Sequence, residues 1–297
     1  MAGTKEIKAH IASIQETRKI TSAMYLIAST KLRRARQELD NTRPYFQALR
    51  GEIRRIFRAA SDIDSPYFYP AGGETAKSGA YGCLVITADK GLAGSYNQNA
   101  IREAMKLLEQ HPNTKLFVVG EYGRRFFSHR HIPIEHSFLY TAQNPTMARA
   151  REISALLLDR FDQGDLQKIF IVYTDMASAV SFQARSTRLL PFHRTHFSVE
   201  EEETAVTEPF EFLPDPRAVL DSMMPSYVSG FIYSALIDSF CCEQNARMAA
   251  MDSANQNAEK LLGELSLEFN RVRQSAITQE ITEISAGARA QRNHVRR

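Results

Sequence analysis

Residues 248–276 read MAAMDSANQNAEKLLGELSLEFNRVRQSA. Apolar or small residues recur here in steps of three and four. The stripe is Met248, Met251, Asn255, Ala258, Leu262, Leu265, Phe269, Val272 and Ala276. That spacing is the heptad seam of a coiled coil, and it holds for about four heptads. Asn255 is the polar member, a type of residue that fixes register at some cost in stability. The stretch lies in a longer segment, Tyr227–Arg297, with no proline and only Gly230, Gly263 and Gly287 as glycines. A continuous helix over those ~70 residues is ~105 Å long. A globular core does not need that length, so the helix is expected to reach something outside its own domain.

All eleven prolines lie between Pro44 and Pro225. Both ends are therefore free of the strongest helix breaker, and the middle is punctuated. Three domains are expected: an N-terminal arm (1–60), a central α/β domain with flanking loops (61–214) and a C-terminal arm (215–297). The first arm is expected from Thr4, a possible N-cap, to Arg43, resuming after Pro44 as far as Ala60. Its stripe is Ile7, Ile11, Ile14, Thr17, Thr21, Met24, Ala28, Lys31, Ala35 and Leu39. The stripe is narrow, a seam for one partner helix rather than a broad core face. A mixed domain between two arms brings them back side by side, which implies an antiparallel pair. The competing reading is two separate surface helices.

Residues 63–78 are rich in Pro, Gly, Ser and Ala and read as a loop. Tyr81–Thr87 (YGCLVIT) is a nearly continuous apolar run, as in a strand buried on both faces. A glycine-bearing turn, Ala88–Asn97, precedes an amphipathic helix at Gln98–Gln110. Lys115–Val119 and Lys168–Tyr173 are further strong strands, and Ile132–Phe138 is a weaker one. Helices are expected near Tyr122–His129 and at Thr146–Gln163. Ala179–Leu190 alternates as an antiparallel strand does, and Phe210–Leu213 is a candidate short strand. This order is a Rossmann-like α/β sheet. Asp215-Pro216 then caps and opens the last helix, with Pro225 expected to kink it or start a second segment. The fold class is α/β, with a long antiparallel two-helix coiled coil.

The net charge of +3 is too small to argue for nucleic acid. Its distribution says more. Lys31, Arg33, Arg34 and Arg36 form a basic cluster, Glu200–Glu203 an acidic run, and Arg289, Arg292, Arg296 and Arg297 a basic tail. The ordinary reading of such runs is a solvated face. Four cations on one short helical stretch need something acidic opposite, either a partner surface or the other arm, for instance Asp238 or Glu243. Three cysteines, two of them adjacent, make no disulfide framework and fit a reducing compartment. The charged first residues are unlike a signal peptide. The most apolar segment, Phe231–Cys242, contains Asp238 and is too short for a bilayer span.

The turn Ala88–Ser95 stands where a phosphate loop would, after a strand and before a helix. It fits neither GxGxxG nor GxxxxGK[ST], so it reads as a structural turn. His129, His131 and His136 match no zinc spacing. Asp175 ends a strand at the carboxyl edge of the sheet without a recognisable nucleophile or base beside it. No cofactor, metal or catalytic residue is assigned.

Three stretches resemble the gamma subunit of F-type ATP synthases. Ile20–Ala35 (ITSAMYLIASTKLRRA) looks like that family's N-terminal helix. Thr87–Asn97 (TADKGLAGSYN) is similar to its glycine turn. Arg273–Ile284 (RQSAITQEITEI) is similar to its C-terminal signature, the most specific of the three. The likeness spans both arms and the domain between. It implies a non-catalytic central rotor shaft of the F1 sector. The two arms would form a coiled coil inside a ring of three alpha and three beta subunits. The α/β domain would sit by the epsilon subunit and the membrane c-ring. Ion flow through the c-ring would then be coupled to ATP synthesis or hydrolysis on the beta subunits. The chain would be peripheral, on the cytoplasmic face of a bacterial plasma membrane. The alternatives are a non-rotary coiled-coil scaffold with an α/β head and a nucleotide-dependent enzyme built on that head.

Position by position, the resemblance implies that Met24, Lys31, Arg33 and Arg34 face the beta subunits from the first arm. Arg273, Gln274, Thr278 and Glu280 would do so from the second. Four departures stand out. Ser22 replaces a lysine, and Ala93 and Ser95 stand where cysteine and glycine are frequent. Cys241-Cys242 replaces small residues and raises the question of a reactive thiol. The tail is basic rather than small and apolar. If Met24 lies near Arg247, the first arm ends opposite about Glu268. The seam from Met248 to Leu265 is then coiled coil, and Arg273–Arg297 a lone helix.

Overall fold

The apolar run near Tyr81 becomes the central strand of a five-stranded sheet. In the computed structural model residues 2–60, 63–69, 79–139, 141–176, 182–197 and 211–295 are described. Expectations for 70–78, 179–181, the acidic run Glu200–Glu203 and the tail side chains Arg289, Arg292, Arg296 and Arg297 lie outside the described residues. The elements are α1 (Ala2–Ala59), β1 (Ala80–Ile86), α2 (Tyr96–Gln110), β2 (Thr114–Val119) and α3 (Glu121–His129). They continue as β3 (Ile134–Phe138), α4 (Met147–Asp162), β4 (Leu166–Met176), β5 (Phe182–Leu190) and α5 (Pro216–Val295). The chain divides into two compact units: Ser29–Arg247, and Met1–Ala28 together with Met248–Arg297.

In the larger unit the sheet order is β3-β2-β1-β4-β5. β1 pairs parallel with β2 (Cys83 opposite Leu116) and with β4 (Leu84 opposite Ile171), and β2 pairs parallel with β3. β5 closes the edge antiparallel to β4, pairing out to Met176–Phe182, which is why β4 runs past the expected Tyr173. Cys83, Val85, Leu116, Val118 and Val172 form one core with Ile101, Ala104 and Leu107 of α2 and Phe127 of α3. The alternating residues Leu84, Ile86, Phe117, Val119 and Ile171 are equally buried and point to the opposite face by the strand period of two. Covering both faces explains why these strands read as unbroken apolar runs.

α5 begins as expected. Pro216 is its first residue, and Asp215 Oδ1 accepts from the Ala218 N–H at 3.0 Å. The buried residues Leu220, Met224, Val228 and Ile232 then follow at helical spacing. Three expectations are corrected. The first is the pair of proline breaks. α1 runs unbroken through Pro44 and α5 through Pro225. An interior proline costs about 3 kcal/mol, which the packing on either side offsets. Past Pro44 that packing includes Ile53 and Ile56, both fully buried. It also includes Phe46, whose ring a Cβ at Gly230 would overlap. The second is the start of α1, which lies at Ala2, so Thr4 is inside the helix rather than its cap. The third is the short strand: residues 211–213 are not extended in any sheet, and Phe210 lies outside the described residues.

The smaller unit is an antiparallel pairing of the two helices. The Thr21 hydroxyl donates to Asn255 Oδ1, and Arg18 Nη1 reaches Glu259 Oε1 at 3.2 Å. Both ends of that ion pair are exposed, so it adds only ~0–1 kcal/mol. Packing and the Thr21–Asn255 bond hold the register. Every member of the α5 stripe from Met248 to Ala276 is buried or half-buried, with Met251 and Ala258 the deepest. Ile7, Ile11, Ile14, Thr21 and Met24 answer it from α1.

This register corrects the expected one. Counting out from Thr21–Asn255, Met24 falls level with about Asp252 rather than Arg247. The first turn of α1 therefore reaches the level of about Arg271–Ser275, and Phe269, Val272 and Ala276 are half-buried instead of bare. Residues 277–288 are all exposed, so the unpaired helix starts at Ile277 rather than Arg273. Lys31 is also displaced from the seam. It is exposed, and Leu32, 8 % exposed, takes the inward position between Ala28 and Ala35.

Candidate functional site

The glycine turn after β1 is locked by its own side chains. The Ala88 N–H donates to Asn97 Oδ1 at 2.8 Å, and the Glu121 N–H to Asp89 Oδ1 at 2.9 Å. The Gly123 N–H donates to Thr87 Oγ1 at 3.0 Å, while the Thr87 hydroxyl donates to the Val119 carbonyl at 2.9 Å. The Tyr122 N–H is taken by the Ala88 carbonyl at 3.0 Å. Gly120 is required here, because it has φ +97° and a Cβ would overlap the Thr87 carbonyl. The amides at the start of α3, which would cradle a phosphate, are thus occupied from within. The same turn packs through Ala88, Ala93 and Tyr96 onto Cys242 of α5, and Arg247 Nη2 donates to the Gly91 carbonyl at 3.1 Å.

The other chemical candidates also resolve into structure. Asp175 forms an ion pair with Arg185 at 2.8 Å, and that guanidinium lies over the Tyr173 ring. Behind them, burial and then the Asp175 charge push the Asp238 carboxyl up to about 6. Among the described residues no group of His, Cys, Asp and Glu is placed to hold a metal ion. His136 packs against Phe138, and His129 and His131 are exposed. Cys83, Cys241 and Cys242 are fully buried. Burial pushes the first two thiols up to about 12 and raises the third as well, so none is a ready nucleophile.

The expected contact residues fall on two surfaces. Lys31, Arg33 and Arg34 are exposed on α1, and Met24 is half-buried there. Arg34 pairs with Glu38 along its own helix at 3.0 Å. Of the two intramolecular acids considered for the cluster, Glu243 feels the Lys31 charge. Glu243 is buried and is bound by the half-buried Arg247 at 2.5 Å. Asp238 lies beside Asp175, Arg185 and Arg43. On α5, Arg273, Gln274, Thr278 and Glu280 are all exposed. The Thr278 hydroxyl donates back to the Gln274 carbonyl at 2.9 Å, an internal helix contact that uses its hydrogen and leaves its oxygen able to accept. Between these polar groups lie Ile277, Ile281 and Ile284, which are 46 %, 59 % and 72 % exposed. Three bare isoleucines spaced by four and three on one helix form an apolar strip of the kind that marks an interface.

One surface was not found from the sequence. Lys90, Arg124, Arg125 and Arg130 line a cleft of about 1230 Å³ at the carboxyl ends of β1 and β2. Its members come from the turn after β1 and from α3 and its end, so no single window of sequence shows the cluster. The one local signal is Glu121, spaced three and four residues from Arg124 and Arg125.

Among the described residues no helix is long and apolar enough to cross a membrane. A family model described as ATP synthase matches residues 3–291. The ATP synthase gamma chain of Ruminiclostridium cellulolyticum is 38% identical over 289 residues, which are 96% of this chain and 98% of that one. That of Acetivibrio thermocellus is 39% identical over 295 residues, 98% of this chain and 99% of that one. In fold the chain is similar to one in the F1 and c-ring assembly of the Euglena gracilis mitochondrial ATP synthase. The TM-score is 0.68 at 17% identity, covering 98% of this chain and 95% of that one. With the paired helices, the locked α/β sheet and these full-length likenesses together, the chain belongs to the ATP synthase gamma-chain family.

Proposed function

We propose that the chain is the central shaft of the F1 sector of an ATP synthase. It turns with the c-ring and couples ion flow to ATP synthesis or hydrolysis on the beta subunits. It has no catalytic residues of its own. Its partners are the alpha3beta3 ring, the epsilon subunit and the c-ring. It works as a peripheral subunit on the cytoplasmic face of a bacterial membrane. In this role the division 1–60, 61–214 and 215–297 separates two arms from a central domain. Met24, Lys31, Arg33 and Arg34 on α1, and Arg273, Gln274, Thr278 and Glu280 on α5, meet the beta subunits.

One observation carries the reading. α5 continues past its last half-buried seam residue, Ala276, with every side chain exposed to 288, and places Ile277, Ile281 and Ile284 among those polar groups. Such a helix end is suited to a surrounding protein surface. Polar contacts on it are worth roughly 0.5–1.5 kcal/mol each, strong enough to add and weak enough to break at each step. Gln274→Ala is therefore expected to lower the coupling of hydrolysis to rotation while the complex still assembles. The experiment is co-expression with the alpha and beta chains of the same organism, followed by purification. Recovery of one copy per three alpha and three beta chains supports the shaft. A stable self-associated coil that ignores both chains supports the scaffold instead.

A further inference from the structure

We propose that the cavity where α1, α4 and α5 meet binds a small aromatic carboxylate. The cavity measures about 250 Å³. Met147, Arg151, Ser154 and Leu158 line it from one face of α4, at steps of four, three and four. Pro225 and Ser229 line it from α5, and Tyr45 and Phe46 of α1 supply two aromatic rings. One polar group in the wall is unsatisfied. Ser154 is 1 % exposed, and its Oγ has no hydrogen-bond partner. A buried hydroxyl left in this state costs stability, which an oxygen brought in by a ligand recovers. Ser229, also buried, donates to the Pro225 carbonyl at 2.7 Å and keeps its oxygen able to accept. Arg151, three residues before Ser154 on the same face of α4, is exposed.

Size and charge name the ligand class. An apolar cavity of ~150 Å³ takes a benzene ring, and drug-sized ligands need ~300–1,000 Å³. The volume here suits one ring with one or two substituents and is too small for a nucleotide. Among the described residues that line it there is no Asp or Glu, and Arg151 is the one cation. The substituent at Arg151 is therefore an anion, and a planar guanidinium can bind a carboxylate through two nitrogens. The ring lies against Tyr45, Phe46 and Leu158. A hydroxyl on the ring accepts from Ser154 and donates to Ser229. All of these residues belong to the Ser29–Arg247 unit, and none is among the helix positions assigned above to the beta subunits. The proposal does not depend on the shaft role.

The test titrates the full chain with three probes, followed by ligand-observed NMR. They are 4-hydroxyphenylacetate, phenylacetate and the uncharged 4-hydroxyphenethyl alcohol. A ligand of about eleven non-hydrogen atoms is expected to bind 4-hydroxyphenylacetate's site with a Kd of about 1 mM or tighter. Arg151→Gln, a surface change, is expected to weaken both acids about tenfold and the alcohol hardly at all. Ser154→Ala is expected to weaken 4-hydroxyphenylacetate roughly threefold to fivefold and to leave phenylacetate unchanged. Ala155→Phe, which fills the cavity, is expected to abolish binding of all three. Lys106→Ala, which removes an exposed cation elsewhere, is expected to change nothing. The idea is overturned if neither acid binds saturably, since the cavity is then a hydrated packing gap. It is overturned if the cavity variants bind as the wild type does, or if the alcohol binds as well as the acids. Equal weakening of both acids by Ser154→Ala overturns it too, because the substitution would then act on the cavity's shape rather than on a hydrogen bond.

Discussion

Asp238 offers a prediction whose sign and size follow from its surroundings. The carboxyl lies in α5, half-buried, with burial the larger cause of its shift, Asp175 adding repulsion and Arg185 and Arg43 only partly offsetting it. Its ordinary value of 3.8 is raised to about 6. At about 1.4 kcal/mol per tenfold, the charged form is disfavoured by roughly 2–3 kcal/mol in the folded chain. Below 3.8 both folded and unfolded chains hold the proton, and the penalty is absent. Between 3.8 and about 6 only the folded chain holds it, so stability falls as pH rises through that window. Above it the full penalty applies. Asp238→Asn removes the charge at nearly constant shape. The variant is therefore expected to be more stable than the wild type at neutral pH by roughly 2–3 kcal/mol, or about 4–10 °C in melting temperature. The gain is expected to shrink towards zero as pH falls to about 4, where the wild-type carboxyl is already neutral. Urea unfolding of both chains across this range measures the difference directly, and groups shared by both cancel. A variant less stable than wild type at neutral pH, by an amount that does not change with pH, would refute the reasoning. It would mean that Arg185 or Arg43 holds the carboxylate more strongly than burial opposes it.

Gly230→Ala is expected to destabilise the larger unit by roughly 1–3 kcal/mol, because the new methyl overlaps the Phe46 ring. Adding Phe46→Leu is expected to recover part of that loss in thermal melting. Phe269→Ala in the paired helices is expected to cost about 2 kcal/mol, below the 3–5 of a fully buried phenylalanine, because Phe269 is half-buried. Chemical unfolding measures it, and a loss as large as a core phenylalanine would mean a tighter pairing than described. The three cysteines are expected to resist Ellman's reagent in the native chain at mildly alkaline pH and to react together on unfolding, since all are buried.

The parts of the fold visible in the sequence are those where one physical signal dominates. The seam from Met248 to Ala276 was legible residue by residue, because a helix facing a single neighbour buries a narrow, periodic stripe. β1, β2 and β4 were legible because burial on both faces leaves no polar position. The misreadings have equally specific causes. After Ala28 a seam continues at either the third or the fourth residue, and counting alone chose Lys31 where the chain buries Leu32. Pro44 and Pro225 were read by local propensity, which the packing around Ile53 and Ile232 overrides. The register was placed by family arrangement and came out about one turn short, whereas Thr21 and Asn255 fix it. The arginine cleft joins residues brought together only by the sheet topology.

The locked turn after β1 has a consequence for the timescale of its motion. Loop amides ordinarily exchange their hydrogens with water quickly, because nothing but solvent holds them. Here the N–H groups of Ala88, Glu121 and Gly123 are held by Asn97, Asp89 and Thr87, two of them from across neighbouring elements. Release of Glu121 and Gly123 requires the turn to part from α3, and release of Ala88 requires it to part from α2, so these amides report the parting of packed elements rather than the fraying of a loop. A rim usually left supple for gripping ligands is here a seam between strand and helix, as slow to open as the strands it joins.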